Sequence, residues 1–183
     1  MGKVYSAIDE SLRQFIVGQP VFFVGSAPLD PQGHVNVSPK GLDTLRILGP
    51  TTIAYLDLTG SGIETISHVK ENGRIVLMFC AFQGSPKIVR LYGRGRAIEP
   101  REEEFTALAA EFPNFEGARA ILLIEISRIA DSCGFGVPLL QKETDRTQLT
   151  AWSSKLGPEG LKRYRSEKNQ RSIDGLSGLK ASE

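Results

Sequence analysis

From residue 20 to residue 132 the chain sets one strand-like run after another, with few helices between them. "PVFFVGSAP" (20–28), "HVNVSPKG" (34–41), "TTIAYLDL" (51–58), "RIVLMFCAF" (74–82), "PKIVRLYGRGRAIE" (86–99) and "RAILLIEISRIADS" (119–132) either alternate apolar with polar residues or run apolar throughout. "LDPQG" (29–33), rich in Pro, Asp and Gly, joins the first two as a hairpin. At least six strands, several adjacent in the chain, predict a mainly β fold: an antiparallel barrel with peripheral α-helices.

Helices are expected at 8–18, where Ile8, Leu12, Phe15 and Ile16 share one face, and at 62–71, closed by Asn72-Gly73. Ser61 followed three residues later by Glu64 forms a capping-box pattern at the second of these. A third helix, 100–112, carries Pro and acidic residues in its first turn. With no repeat or linker, residues 1–183 read as one domain. A more polar, helical extension begins at about 141, is interrupted at Gly157-Pro158, and ends in the loop-like "SIDGLSGLKASE".

A formal net charge of +1 gives no electrostatic case for a nucleic-acid partner, and no apolar run approaches the length of a membrane span. Two cysteines are too few for a disulfide framework, which suits a reducing, cytoplasmic setting. His34 and His68 lack a second ligand at metal spacing. No nucleophile elbow or Walker loop is present.

The candidate chemistry lies where strands end. "HVNVSPKG" stops at a proline, a lysine and a glycine, setting a hydroxyl and a cation beside free backbone groups. Asp57 closes an otherwise apolar strand. Ser61-Gly62 opens a helix, whose unpaired N–H groups suit an anion. Along 86–99 the even positions carry Arg90, Tyr92, Arg94 and Arg96, while the odd ones are small and apolar, so one face is cationic. That face is either solvated or a contact surface, and Gly93 and Gly95 point to a bend or a close backbone approach. "DSCGFGVP" (131–138) demands a specific backbone shape.

The order and spacing of "HVNVSPKG", "IAYLDLTGSG" opening a helix, the paired strands "RIVLMFCAF" and "KIVRLYGRGRAIE", and "SCGFGVP" resemble the pyridoxamine 5′-phosphate oxidase-like family. The resemblance implies an FMN-binding split β-barrel, with FMN at the interface of a homodimer. It implies cofactor contacts from Val37, Ser38, Pro39 and Lys40, from Leu56, Asp57 and Leu58, and from Ser61 and Gly62. The family's Ser-Arg-Lys at the helix start is here Ser61-Gly62-Ile63, and its strand glutamine is Ile88, so both phosphate-binding cations are absent. Ser61 with the helix N–H groups, and Lys40 with Arg90 for charge, are the expected substitutes.

The family's C-terminal Trp-Arg region is not matched either, Trp152 aside, and pyridoxamine phosphate is therefore not the expected substrate. The expectation is a cytoplasmic FMN-dependent oxidoreductase acting on a small molecule, with NAD(P)H or that molecule as its reaction partner. No catalytic residue is assigned from the sequence, because the flavin would carry the chemistry and such an enzyme needs no side-chain acid or base. A non-catalytic flavin-binding or sequestering protein, or a barrel for another ligand, are the alternatives.

Overall fold

The computed structural model describes residues 2–180; Met1 and 181–183, which the single-domain reading also covers, lie outside the described residues. Within them the elements run β1 (Val4–Tyr5), α1 (Glu10–Val17), β2 (Phe22–Ser26), β3 (Asn36–Lys40), β4 (Leu45–Ile47), β5 (Thr52–Leu58), α2 (Glu64–Asn72), β6 (Arg74–Cys80), β7 (Ile88–Ile98), α3 (Glu103–Ala109), β8 (Ala118–Ser132) and α4 (Gln148–Lys168). The six predicted strands all form. β1 and β4 are additions, each too short to carry a period-two signal.

All pairs are antiparallel in the order β3-β2-β6-β7-β8-β5-β4, with β1 added to β8. β2 and β5 are separated by three strands in that order, yet the Phe22 and Tyr55 rings meet edge to face at 5.7 Å. The sheet must therefore curl until its concave face meets itself, which is the expected split antiparallel barrel.

That concave face holds the main core. Val24, Ile53, Tyr55, Leu77, Leu91, Leu122 and Ile124 are fully enclosed there, and α1 and α2 add Leu12, Ile16 and Ile66. A second cluster on the convex face sets Ala54, Leu56, Ile98 and Ile121 against Phe112, with Phe105 and Leu108 of α3 packed on it. β5 contributes to both clusters, so its middle is apolar on both sides, like a buried strand rather than a half-exposed one.

The cationic face of β7 resolves toward solvent and local partners. Arg94 donates to the Asn72 carbonyl, Arg96 pairs with Glu104, and Arg90 donates to the Ser132 hydroxyl. The glycines on this strand do mark a close approach. The β7–β8 register shifts between Tyr92 and Gly93, and a Cβ on Gly93 would sit 2.3 Å from the Glu125 carbonyl oxygen. Gly93→Ala must push the two longest strands apart, and it is expected to cost about 1–3 kcal/mol of unfolding free energy in a denaturant titration. Unchanged stability would show that the bulge absorbs a methyl group.

The chain beyond β8 is tied down. Gly134 adopts a left-handed φ of 67° and packs on the Lys87 backbone, and the Leu140 N–H reaches the Phe82 carbonyl. α4 breaks at Gly157 (φ 63°), as its Gly-Pro pair predicts. Residues 169–180 have no long element but are held by backbone bonds from Gly178 to Gln170 and from Leu179 to Asn169. His34 and Asp174 close the same tail onto the β2–β3 turn at 2.6 Å.

Candidate functional site

Curling of the sheet brings the end of β3 against the end of β5. The Lys40 ammonium donates to one Asp57 carboxylate oxygen at 2.7 Å, and the Arg119 Nε donates to the other, also at 2.7 Å. Asp57 and Arg119 are 2% and 5% exposed, so this is a buried ion triad in which Lys40 alone reaches solvent. Burial would push the Asp57 carboxyl up. The Lys40 and Arg119 charges and their hydrogen bonds outweigh it and hold the carboxyl below its ordinary range.

Arg119 owes its position to a β-bulge. Asp57 pairs with Ala120 and Leu58 with Ala118, so Arg119 is the extra residue on β8. A bulge re-aims the side chain it inserts, here into the triad. The same guanidinium donates to the Gly60 carbonyl at 3.0 Å and to the Gly62 carbonyl at 2.6 Å. Asn169, fully buried, donates to the Gly60 carbonyl at 2.9 Å and to Ser61 O at 3.4 Å. Arg165 of α4 donates to the Thr59 hydroxyl and to the Ala118 carbonyl.

This tethering corrects the expected helix start. The N-cap of α2 is Ile63, without a side-chain cap bond, so the Ser61–Glu64 capping box does not form. Residues 60–62 are held by their carbonyls, and α2 begins only where that hold ends. The Glu64 carboxylate instead folds over Gly62, where a Cβ would meet it at 2.7 Å.

A cavity of about 770 Å³ lies over these strand ends and the start of α2. Of the residues expected at a cofactor, Ser38, Pro39, Lys40, Leu56, Asp57, Leu58 and Gly62 line it. Val37, Ser61 and Arg90 do not. Val37 faces outward and is 64% exposed, Ser61 is exposed beside its tethered carbonyl, and Arg90 lies on β7 against Ser132. The segment from Leu140 to Leu149 crosses the mouth and adds Lys142, Asp145 and Arg146 to the lining.

Arg119, Arg165 and Asn169 are the residues that sequence reasoning missed. Only Arg119 left a signal: an arginine opening an otherwise apolar strand needs a buried counter-charge, and Asp57 ends one. Trp152 lies outside this lining and stacks edge-on against Tyr164 at 4.9 Å.

The triad sets an acid limit on stability. A carboxyl held below its unfolded value stabilises the fold fully above that value, about 3.9, and loses the contribution as pH falls through the folded value. Asp57→Asn leaves Arg119 buried without its counter-charge and is expected to cost about 3–5 kcal/mol at pH 7. It should also flatten the acid side of the stability–pH curve below about pH 4. A variant that unfolds in acid along the wild-type curve would remove Asp57 from that role.

Comparison with known proteins bears on the fold and the family. In fold the chain is similar to the Group A Streptococcus protein HupZ, at 21% identity and a TM-score of 0.52, over 67% of this chain and 91% of that one. It is similar also to an FAD-binding protein from Mesorhizobium loti, at 12% identity and a TM-score of 0.51, over 72% and 96% of the two chains. In sequence it is 39% identical over 192 residues to the pyridoxamine 5′-phosphate oxidase family protein ustO of Aspergillus flavus, covering 96% of this chain and 77% of that protein. Residues 8–133 match the family described as pyridoxamine 5′-phosphate oxidase. On that match, and on the split barrel that carries it, the chain belongs to the pyridoxamine 5′-phosphate oxidase family.

Proposed function

We propose that the chain is an FMN-binding flavoprotein, an oxidoreductase acting on a small molecule, and a cytoplasmic homodimer with the flavin at the subunit interface. The observation that carries this is the cavity joining the ends of β3 and β5 to the start of α2, with the Lys40–Asp57–Arg119 triad at its floor. Its volume suits a cofactor of that size. Pro39, Leu42, Leu56 and Leu58 offer apolar walls for a flat ring, and Lys40 offers a cation near a run of unpartnered backbone N–H groups at residues 61–63. The residues fit a phosphorylated flavin.

Bound flavin would supply the hydride or electron transfer itself. The chain's residues would bind and orient. Lys40 is held by Asp57 at a fixed position and would contribute its charge to the phosphate without losing its carboxylate partner. Asp57 has both oxygens occupied, so it is a structural anion and not a proton carrier. Segment 140–149 would narrow the mouth and exclude water from the ring.

Supporting the dimer, β3 is an edge strand on which Val37 is 64% exposed, and Val35 just before it is 72% exposed. Apolar exposure of that kind on a sheet edge suits a partner subunit. Light scattering should return twice the chain's 20.0 kDa, and a monomer mass would sink the interface reading. The free cysteines, Cys80 buried and Cys133 exposed, suit a reducing compartment. Among the described residues no helix is long and apolar enough to cross a membrane.

The deciding experiment is flavin uptake by the purified protein. Titration with FMN and, separately, FAD should give a yellow complex with FMN preferred. Lys40→Ala should weaken FMN binding by about 1.5–3 kcal/mol through loss of a charged hydrogen bond. NAD(P)H should bleach the complex under exclusion of air. A yellow complex that no pyridine nucleotide bleaches is the outcome for a flavin carrier, and a protein that takes up no flavin ends the proposal.

A further inference from the structure

The family match ends at residue 133, yet the loop at the start of α2 is held from beyond it. Three buried or half-buried side chains grip residues 59–62. Arg119 takes the carbonyls of Gly60 and Gly62, Asn169 takes those of Gly60 and Ser61, and Arg165 takes the Thr59 hydroxyl and Ala118 O. All peptide bonds here are trans, so each carbonyl opposes the N–H of the next residue. Drawing the carbonyls of Gly60, Ser61 and Gly62 onto Arg119 and Asn169 therefore turns the N–H groups of Ser61, Gly62 and Ile63 the other way. None of those N–H groups has a hydrogen-bond partner among the described residues.

The grip is also charged. Arg165 and Arg119 lie close enough that burial first, and the Arg119 charge second, push the Arg165 guanidinium below its ordinary value. Lys40 and Arg119 share the Asp57 carboxylate, Arg165 bonds only to the Thr59 hydroxyl and the Ala118 carbonyl among these contacts, and the Glu64 carboxylate over Gly62 offsets one of the three cations. The loop thus carries an excess of positive charge behind it, though its own residues, Gly60-Ser61-Gly62, are uncharged.

We infer that Arg165 and Asn169 are positioning residues of the phosphate-binding loop, Asn169 acting on its carbonyls and Arg165 through the Thr59 hydroxyl and the Ala118 carbonyl while adding positive charge behind it. The inference rests on the flavin reading above and assigns a role to the end of α4 and the segment after it. The tail's own bonds serve the same end. Leu179 N–H binds the Asn169 carbonyl, and a Cβ on Gly178 would collide with that carbonyl at 2.1 Å, so residues 178–179 lock Asn169 in place.

The test compares FMN with riboflavin, which shares the ring but lacks the phosphate. Dissociation constants for both are measured by flavin fluorescence on the full chain, with the melting temperature recorded alongside. Wild type should prefer FMN. Asn169→Asp, which keeps the shape but replaces the donor with an acceptor, and Arg165→Met should each lose FMN affinity about tenfold or more while riboflavin affinity holds. If Arg165→Met does not fold, the Asn169→Asp pair of constants decides alone. Equal loss for both ligands, or unchanged FMN binding, overturns the inference and leaves the flavin reading standing. A wild-type protein that binds neither ligand overturns both.

Discussion

The Asp57 carboxylate, sealed between Lys40 and Arg119, is the contact on which the site depends. It joins β3, β5 and β8, three strands that are not all neighbours in the sheet, and so fixes how far the sheet curls at that end. A buried charge is tolerated only with its partners in place, and removing one partner of such a group costs about 3–5 kcal/mol. An exposed pair such as Arg96–Glu104 is screened by solvent and adds little. The triad is therefore a geometric constraint, while the surface pairs are accessories.

From that triad the loop at residues 59–62 follows. Arg119 spends one nitrogen on Asp57 and two on loop carbonyls, so the electrostatic anchor and the backbone shape are set by one side chain. The bulge that delivers Arg119 is what makes this possible; in regular register the residue would face the opposite side of β8. The missed capping box is the visible consequence, since a tethered loop cannot place Ser61 at the cap of α2.

Much of the frame was legible in the chain. The period-two run of "HVNVSPKG", the continuous apolar run of "RIVLMFCAF" and the glycines of "YGRGRA" place β3, β6 and the β7 bulge from local pattern alone. The first and last record local requirements, a half-buried face and a backbone approach too close for a side chain, whereas β6, apolar throughout and expected to be fully buried, buries Ile75, Leu77 and Phe79 and leaves Val76 and Met78 half-buried on its other face. Lys40 and Asp57 could likewise be picked out as charges at the ends of strands. Val37, by contrast, shares the motif but not this cavity, because neighbours in a strand face opposite ways and the strand turns it outward.

By itself, then, the sequence determined the six longer strands, the antiparallel class, the break at Gly157 and the strand ends at which chemistry gathers. Those are local properties, written in periodicity, proline and glycine. Only the tertiary structure decided that Asp57 meets Arg119, 62 residues away, and that Asn169 reaches Gly60 across 109. No local pattern encodes a one-residue shift in strand register or the docking of a distant tail. Both are settled when the sheet curls and every buried charge and carbonyl must find a partner.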